Sequence, residues 1–169
     1  GWEGSPGENW LTAHPVVTLL APDGYWRDID PLTVGYDYAG TSTPYLDPFP
    51  TVSSSQVLGV TTLNNPGDVD AWPTWTITGP MTSLSATNDT TGHEFVVTHT
   101  LTGGQQITIT TLQPTVTGPA GVNLAGALNW PDAYLWPVAP GDNSIEPDVA
   151  GASTGTRIEL QFHPRYEGT

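Results

Sequence analysis

The sequence has no cysteine and no lysine among its 169 residues, only three arginines and one methionine, and no long apolar run. The missing cysteines exclude disulfides, thiolate metal sites and cysteine nucleophiles together, and with them any reading of redox compartment. Arg27, Arg157 and Arg165 stand against seventeen Asp and Glu, for a formal net charge of −14. Nucleic-acid binding draws most of its affinity from Lys and Arg on phosphates, and anionic lipid surfaces attract basic segments, so neither partner fits. No stretch approaches the roughly 18 apolar residues of a membrane-spanning helix. The opening Gly1-Trp2-Glu3 has neither the basic nor the apolar region of a signal peptide. It also lacks an initiator Met, as expected of a processed chain or of a fragment whose upstream part is missing.

Helix is excluded by what is abundant. Nineteen Gly and seventeen Pro punctuate the chain so densely that the longest window free of both is Met81 to Thr91. Inside a helix a Pro costs about 3 kcal/mol and a Gly about 1 kcal/mol relative to Ala, which leaves room only for single turns.

Period-2 patterns take the place of helical ones. In Thr74-Trp75-Thr76-Ile77-Thr78 the two large apolar residues share one face and three Thr the other. Phe95, Val97, His99 and Leu101 alternate in the same way, Gly103-Gly104 reads as a hairpin turn, and Ile107 and Ile109 follow on one face. Near the end Ile158, Leu160 and Phe162 point one way while Arg157, Glu159 and Gln161 point the other. Short antiparallel strands with one wet face and frequent turns predict an all-β antiparallel sandwich or barrel. Its core is expected to hold Trp75, Ile77, Phe95, Val97, Ile107, Ile109, Ile158, Leu160 and Phe162.

The chain divides near residue 56. Residues 56–169 carry the regular strands. Residues 1–55 hold seven Pro and scattered aromatics, among them Trp2, Trp10, Tyr25, Trp26, Tyr36 and Tyr38. Val16 to Leu20 and Leu32 to Tyr38 are each expected as a strand; the rest reads as an extended arm, or else as a loop-rich edge of the same domain.

Candidate chemistry is sparse. Gly151-Ala152-Ser153-Thr154-Gly155 matches the G-x-S-x-G pattern of hydrolases, but a strand follows it where that motif needs a helix. With only Glu159 and His163 downstream, a hairpin loop is the expectation, and no enzyme. His14, His93, His99 and His163 lack metal-ligand spacing, and His99 is expected as a core or sheet-edge residue. Asp28-Ile29-Asp30 and Asp68-Val69-Asp70 do not continue into a calcium loop. No cofactor and no metal is therefore expected. Aromatics are the remaining lead: Trp130, Tyr134 and Trp136 are candidate contacts for a carbohydrate or a protein partner. The competing reading puts Trp136 in the core and Trp130 over a sheet edge, since large aromatics enter cores and interfaces.

Several segments, in order, resemble the C-terminal region of siphophage distal tail proteins, particularly those of phages of actinobacteria. His14 to Asp28, ending in Asp23-Gly24-Tyr25-Trp26, resembles the family's "F-x-A-x-D-P/G-Y-W" stretch. Asn65-Pro66-Gly67-Asp68 with Trp72 to Pro80 resembles "N-x-G-D-x-x-x-x-P-x-x-x-I-x-G", and Thr90-Thr91-Gly92 with Gln105 to Thr111 is similar too. Leu135 to Ile145, through Pro140-Gly141-Asp142-Asn143, resembles "L-x-P-G-x-N-x-I", and His163-Pro164-Arg165-Tyr166 resembles the closing "x-P-R-Y".

The resemblance implies a galectin-like sandwich with no enzyme activity, placed in the virion at the tail tip. There it would be a hub linking the tail tube to tail-tip and receptor-binding proteins. It implies a homo-oligomeric ring closed mainly by an upstream domain that the arm would continue. The isolated chain is expected to be a monomer or weak dimer. The alternative is a carbohydrate-binding module or lectin-like adhesin domain, extracellular or at a cell surface, with host-surface carbohydrate as partner. The turns Asn65 to Asp68 and Ala139 to Asn143 have a physical reading of their own, in which Pro and Gly preset the backbone and so fix strand register.

Overall fold

Where apolar side chains recur at every second position the chain is extended, and successive residues part to the two faces of a sheet. A computed structural model describes residues 24–38 and 60–168; Val16 to Leu20 lies outside them. Its strands are β1 (Tyr25–Arg27), β2 (Leu32–Asp37), β3 (Thr61–Asn65), β4 (Thr74–Thr78), β5 (Met81–Asn88), β6 (His93–Leu101), β7 (Gln106–Thr110), β8 (Thr115–Thr117), β9 (Gly141–Ala150), β10 (Arg157–Phe162) and β11 (Arg165–Glu167). Helix among the described residues is limited to two single 3-10 turns, Pro119–Gly121 and Ala125–Ala127.

Two sheets face each other. One has the order β2-β10-β4-β7-β8, the other β3-β9-β5-β6, and β1 pairs with β11 in a short ribbon. Every strand pair is antiparallel. All nine residues expected in the core are buried. At its centre Trp75 of β4 meets Phe95 of β6 edge-on, with ring centroids 5.6 Å apart. Trp136 fills the third corner, 5.3 Å from Trp75 at 88°. Edge-to-face geometry aligns a ring's positive rim with its neighbour's negative face. It is the surrounding for the Trp75 indole N–H, which has no hydrogen-bond acceptor among the described residues.

The structure corrects two turns. Gly103-Gly104 turns the chain, with Gln105 N donating to Thr102 O at 3.1 Å, but it makes no hairpin. It carries the chain from β6 in one sheet to β7 in the other. The Gly151 to Gly155 loop likewise joins β9 to β10 across the sandwich. Alternation reports which face of a strand is buried and is silent on which sheet the strand joins, so the nearest neighbour in sequence need not be the nearest in space. The β4–β5 link at Gly79-Pro80 makes a third crossing, and the three touch. Gly79 N donates to Gln105 O at 2.9 Å, and Thr156 Oγ1 donates to Pro80 O at 2.6 Å. A Cβ on Gly79 would lie 2.6 Å from Leu101 Cβ and 2.7 Å from Thr102 O, so only glycine lets these crossings close on one another.

Two strands come from before residue 56. β2 is an edge strand against β10 and buries Tyr36 in the core; β1 pairs with β11. Leu32–Asp37 therefore lies in the sandwich and Tyr25–Arg27 in the ribbon beside it, the former through an alternation in Leu32 to Tyr36 that the prolines around it obscured. β9 was also hidden, because it contains Pro147. Asp89 N donates to Ser144 O at 2.9 Å, which places the odd-numbered residues of β5 at the hydrogen-bonded positions. Pro147, opposite Ala86, thus turns its nitrogen away from β5, toward the flank where the described β3 pairing has ended at Ile145. Proline is tolerated in a sheet where the paired neighbour does not call on its nitrogen. A register slip between Met81 and Ser83 leaves His99 half-buried on β6, an edge strand.

Candidate binding site

The Asn65 loop, the turn before β9 and the His163-Pro164-Arg165-Tyr166 segment meet at one end of the sandwich, and buried asparagines hold the two turns. Asn65 closes the loop after β3: its side-chain oxygen accepts from Gly67 N (3.0 Å), and its amide donates to Val69 O (3.1 Å) and Val138 O (3.0 Å). Asn143 does the same for the turn before β9. Its amide donates to Ala139 O (2.8 Å) and Gly141 O (3.0 Å), and its oxygen accepts from Ala139 N (3.1 Å). Both side chains are buried. Backbone bridges Ala71–Val138 and Val69–Arg165 tie the two turns to each other and to β11. Gly67 sits against that last strand: a Cβ there would be 2.5 Å from Arg165 O. The residues most readable as motifs thus build the scaffold.

The D-x-D pairs are taken up in the same structure. Tyr166 donates its hydroxyl to Asp28 Oδ2 at 3.1 Å. Burial pushes the Tyr166 pKa up, and the Asp28 and Asp68 carboxylates push it further in the same direction. The Arg165 guanidinium lies 4.4 Å from the centre of the Tyr25 ring and donates to Asp70 O at 3.0 Å. Among the described residues no group of three or more His, Cys, Asp and Glu is placed to hold a metal ion. The hydrolase-like residues are dispersed as well. Ser153 is exposed in its crossing loop, Glu159 lies 3.6 Å from Arg157 Nε, and His163 Nδ1 is 2.9 Å from Asp28 O.

The three aromatic candidates separate. Trp136 is fully buried and donates its indole N–H to Ala86 O at 3.0 Å. That corrects its place among the surface contacts, because the Trp75–Phe95 gap between the sheets takes it in. Trp130 and Tyr134 remain at the surface, 58% and 47% exposed. Their loop runs along the free edge of β6, as the edge-capping reading expected. Asn129 N donates to Val96 O (3.0 Å) and Tyr134 N to Glu94 O (2.9 Å), while Val96 N donates to Asn129 Oδ1 (2.8 Å).

Both rings are held. Trp130 Nε1 donates to Ala125 O at 2.9 Å, and Tyr134 stacks on His93 at 4.1 Å between centroids and 23° between planes. Together with Trp72, Leu112, Pro114 and neighbours they line an open depression of about 290 Å³. Trp72 and Leu112 were missed as site residues. The signal for Trp72 was parity: Ala71, Pro73, Trp75 and Ile77 face inward, so Trp72 faces out.

A two-sheet sandwich with asparagine-stapled loops and an aromatic surface depression belongs to the class of structural and binding modules, in which the scaffold is rigid and contacts are made by loops. The family model for the siphovirus-type tail component, C-terminal domain, matches residues 66–166. The chain belongs to that family: it is a structural component of a phage tail, found in the virion and working among other tail proteins. No curated protein and no solved structure matches it.

Proposed function

We propose that this chain is a distal tail protein at the tail tip, the hub on which the tail tube and the host-recognition proteins are joined. The family match over residues 66–166 carries this reading, because those residues run from the turn after Asn65 into β11 and include Asn143 with its turn. The fold supports it: a two-sheet sandwich is a platform, and its asparagine-held turns offer attachment points. The role is mechanical, and Ser153 has no catalytic part in it. In the virion the chain is one subunit of a ring closed mainly by an upstream ring-forming domain, with β2 and residues 60–168 making up the sandwich.

Taken alone, the chain carries a net charge of −14, whose repulsion opposes self-association and is screened by salt. Light scattering at moderate salt should therefore give a monomer or at most a weak dimer; a stable hexamer of this chain would place ring closure here. Gold-labelled antibody against the sandwich should decorate the distal end of purified virions. Label along the tube, or at the head, would overturn the tail-tip assignment.

A further inference from the structure

We infer that the depression between Trp130 and Tyr134 is a seat for a neutral sugar residue of a cell-surface polysaccharide. The inference rests on the tail-tip reading for its setting and on the geometry of this site for its chemistry. Two exposed rings border one cavity of about 290 Å³, close to the lower end of the size that small-molecule sites take, roughly 300 Å³. A pyranose ring has an apolar C–H face and a hydroxylated rim. It buries the first on an aromatic plane and keeps the second in water or on polar neighbours, the same amphipathic logic that puts Tyr and Trp at half-wet interfaces.

The rings are prepared for it. The Trp130 indole is fixed through its N–H to Ala125 O (2.9 Å), and Tyr134 is backed by His93 at 4.1 Å. Neither has to be ordered on binding, which removes an entropic cost that loose side chains carry. Neither is needed to fill the core, where Trp75, Phe95 and Trp136 already pack together. The seat does not stand alone: it shares Trp72, Thr111 and Leu112 with a second depression lined also by Thr74, Thr110 and Gln113, with Arg27 and His163 in its wall. Hydroxyl and amide groups there suit the neighbouring units of a chain of sugars.

Charge selects the occupant. The seat has no Lys or Arg in its lining, Asp132 stands between the two aromatic residues in the sequence, and the whole chain is strongly acidic. A polyphosphate or polyuronate is repelled by such a surface, whereas an uncharged glycan is not.

The test titrates the full chain with neutral oligosaccharides built from hexoses, deoxyhexoses or N-acetylhexosamines, following tryptophan fluorescence and, independently, calorimetry. A polyanionic glycan and a proline-rich peptide serve as contrasts. At least one neutral oligosaccharide should saturate the protein, and Trp130→Ala and Tyr134→Ala should each weaken it about threefold to tenfold, the loss of one stacking contact. Trp26→Ala, exposed on β1, should bind as wild type, and all three variants should melt as wild type. Failure of every neutral glycan, tighter binding of the polyanion or the peptide, or unchanged affinity in both site variants would each overturn the proposal. None of these results bears on where antibody decorates the virion, so the tail-tip assignment stands or falls separately.

Discussion

Asn143→Ala should be among the most damaging single changes outside the aromatic core. The side chain is fully buried and serves three backbone groups at 2.8, 3.0 and 3.1 Å, with a longer contact of 3.4 Å from Asn88 Nδ2. Alanine leaves all of these without a partner where water has little access. At about 1 kcal/mol for each of the three short bonds, stability should fall by about 3 kcal/mol, with the desolvation cost of the stranded groups acting in the same direction. Asn143→Asp makes a sharper test. It keeps the acceptor but turns a second oxygen toward Ala139 O and Gly141 O, which need a donor. A carboxyl so placed has its pKa raised in the folded state, so its contribution is present at low pH and lost as pH rises through that raised value. The deficit of this variant relative to wild type should therefore narrow on acidification. Urea unfolding followed by tryptophan fluorescence gives both numbers by linear extrapolation. The control is Asn64→Ala, one residue along β3, whose 2.8 Å bond to Asp142 Oδ1 is exposed; it should stay within about 0.5 kcal/mol of wild type. A loss below about 1 kcal/mol for Asn143→Ala would show that the turn before β9 does not depend on this side chain.

Phe162→Ala should cost about 3–5 kcal/mol by the same assay, as large buried aromatics do, and a cost under about 1 kcal/mol would place Phe162 outside the core. Gly67→Ala drives a Cβ to 2.5 Å from Arg165 O and should cost about 1–3 kcal/mol by overpacking; a neutral result would mean that β11 moves freely. Burial raises the pKa of Tyr36, a trend that hydrogen bonding to Thr61 partly offsets. The folded state therefore holds that proton more tightly than the unfolded chain. Stability from it is complete below pH about 10 and is lost as pH climbs through the raised folded value. Tyr36→Phe should show a shallower alkaline loss in chemical denaturation, and an identical pH profile would refute the assignment.

Much of the sandwich was legible because burial on one face of a strand leaves a period of two, and Trp75, Ile107 and Phe162 keep it without interruption. What escaped was pairing. β5 is rich in Ser and Thr, and its inward set, Met81, Leu84 and Ala86, breaks period at the register slip, so no alternation announces it. β9 carries a proline that is tolerable because its nitrogen turns away from β5. The candidate site was half legible for a related reason. Trp130 and Trp136 are the same residue type six positions apart, and nothing local says that one completes a ring cluster formed by β4 and β6 while the other rides a β-edge loop. Asn65 and Asn143 read as turn residues, yet the bonds that make them buried staples reach backbone that the turn itself brings into place.

The order of strands in the two sheets has a temporal side. β9 lies between β3 and β5, and β10 lies between β2 and β4, so each sheet has an interior strand supplied by one of two consecutive strands made after both of its neighbours. A polypeptide leaves the ribosome at roughly 5–20 residues per second. For the several seconds before Gly141 emerges, β3 and β5, and likewise β2 and β4, are waiting for the strand that will join them. The half-made chain shows open strand edges, the surfaces most prone to pair with other chains. β9 and β10 are thus the clasp, and a premature stop shortly before β10 would release an unfolded, sticky product.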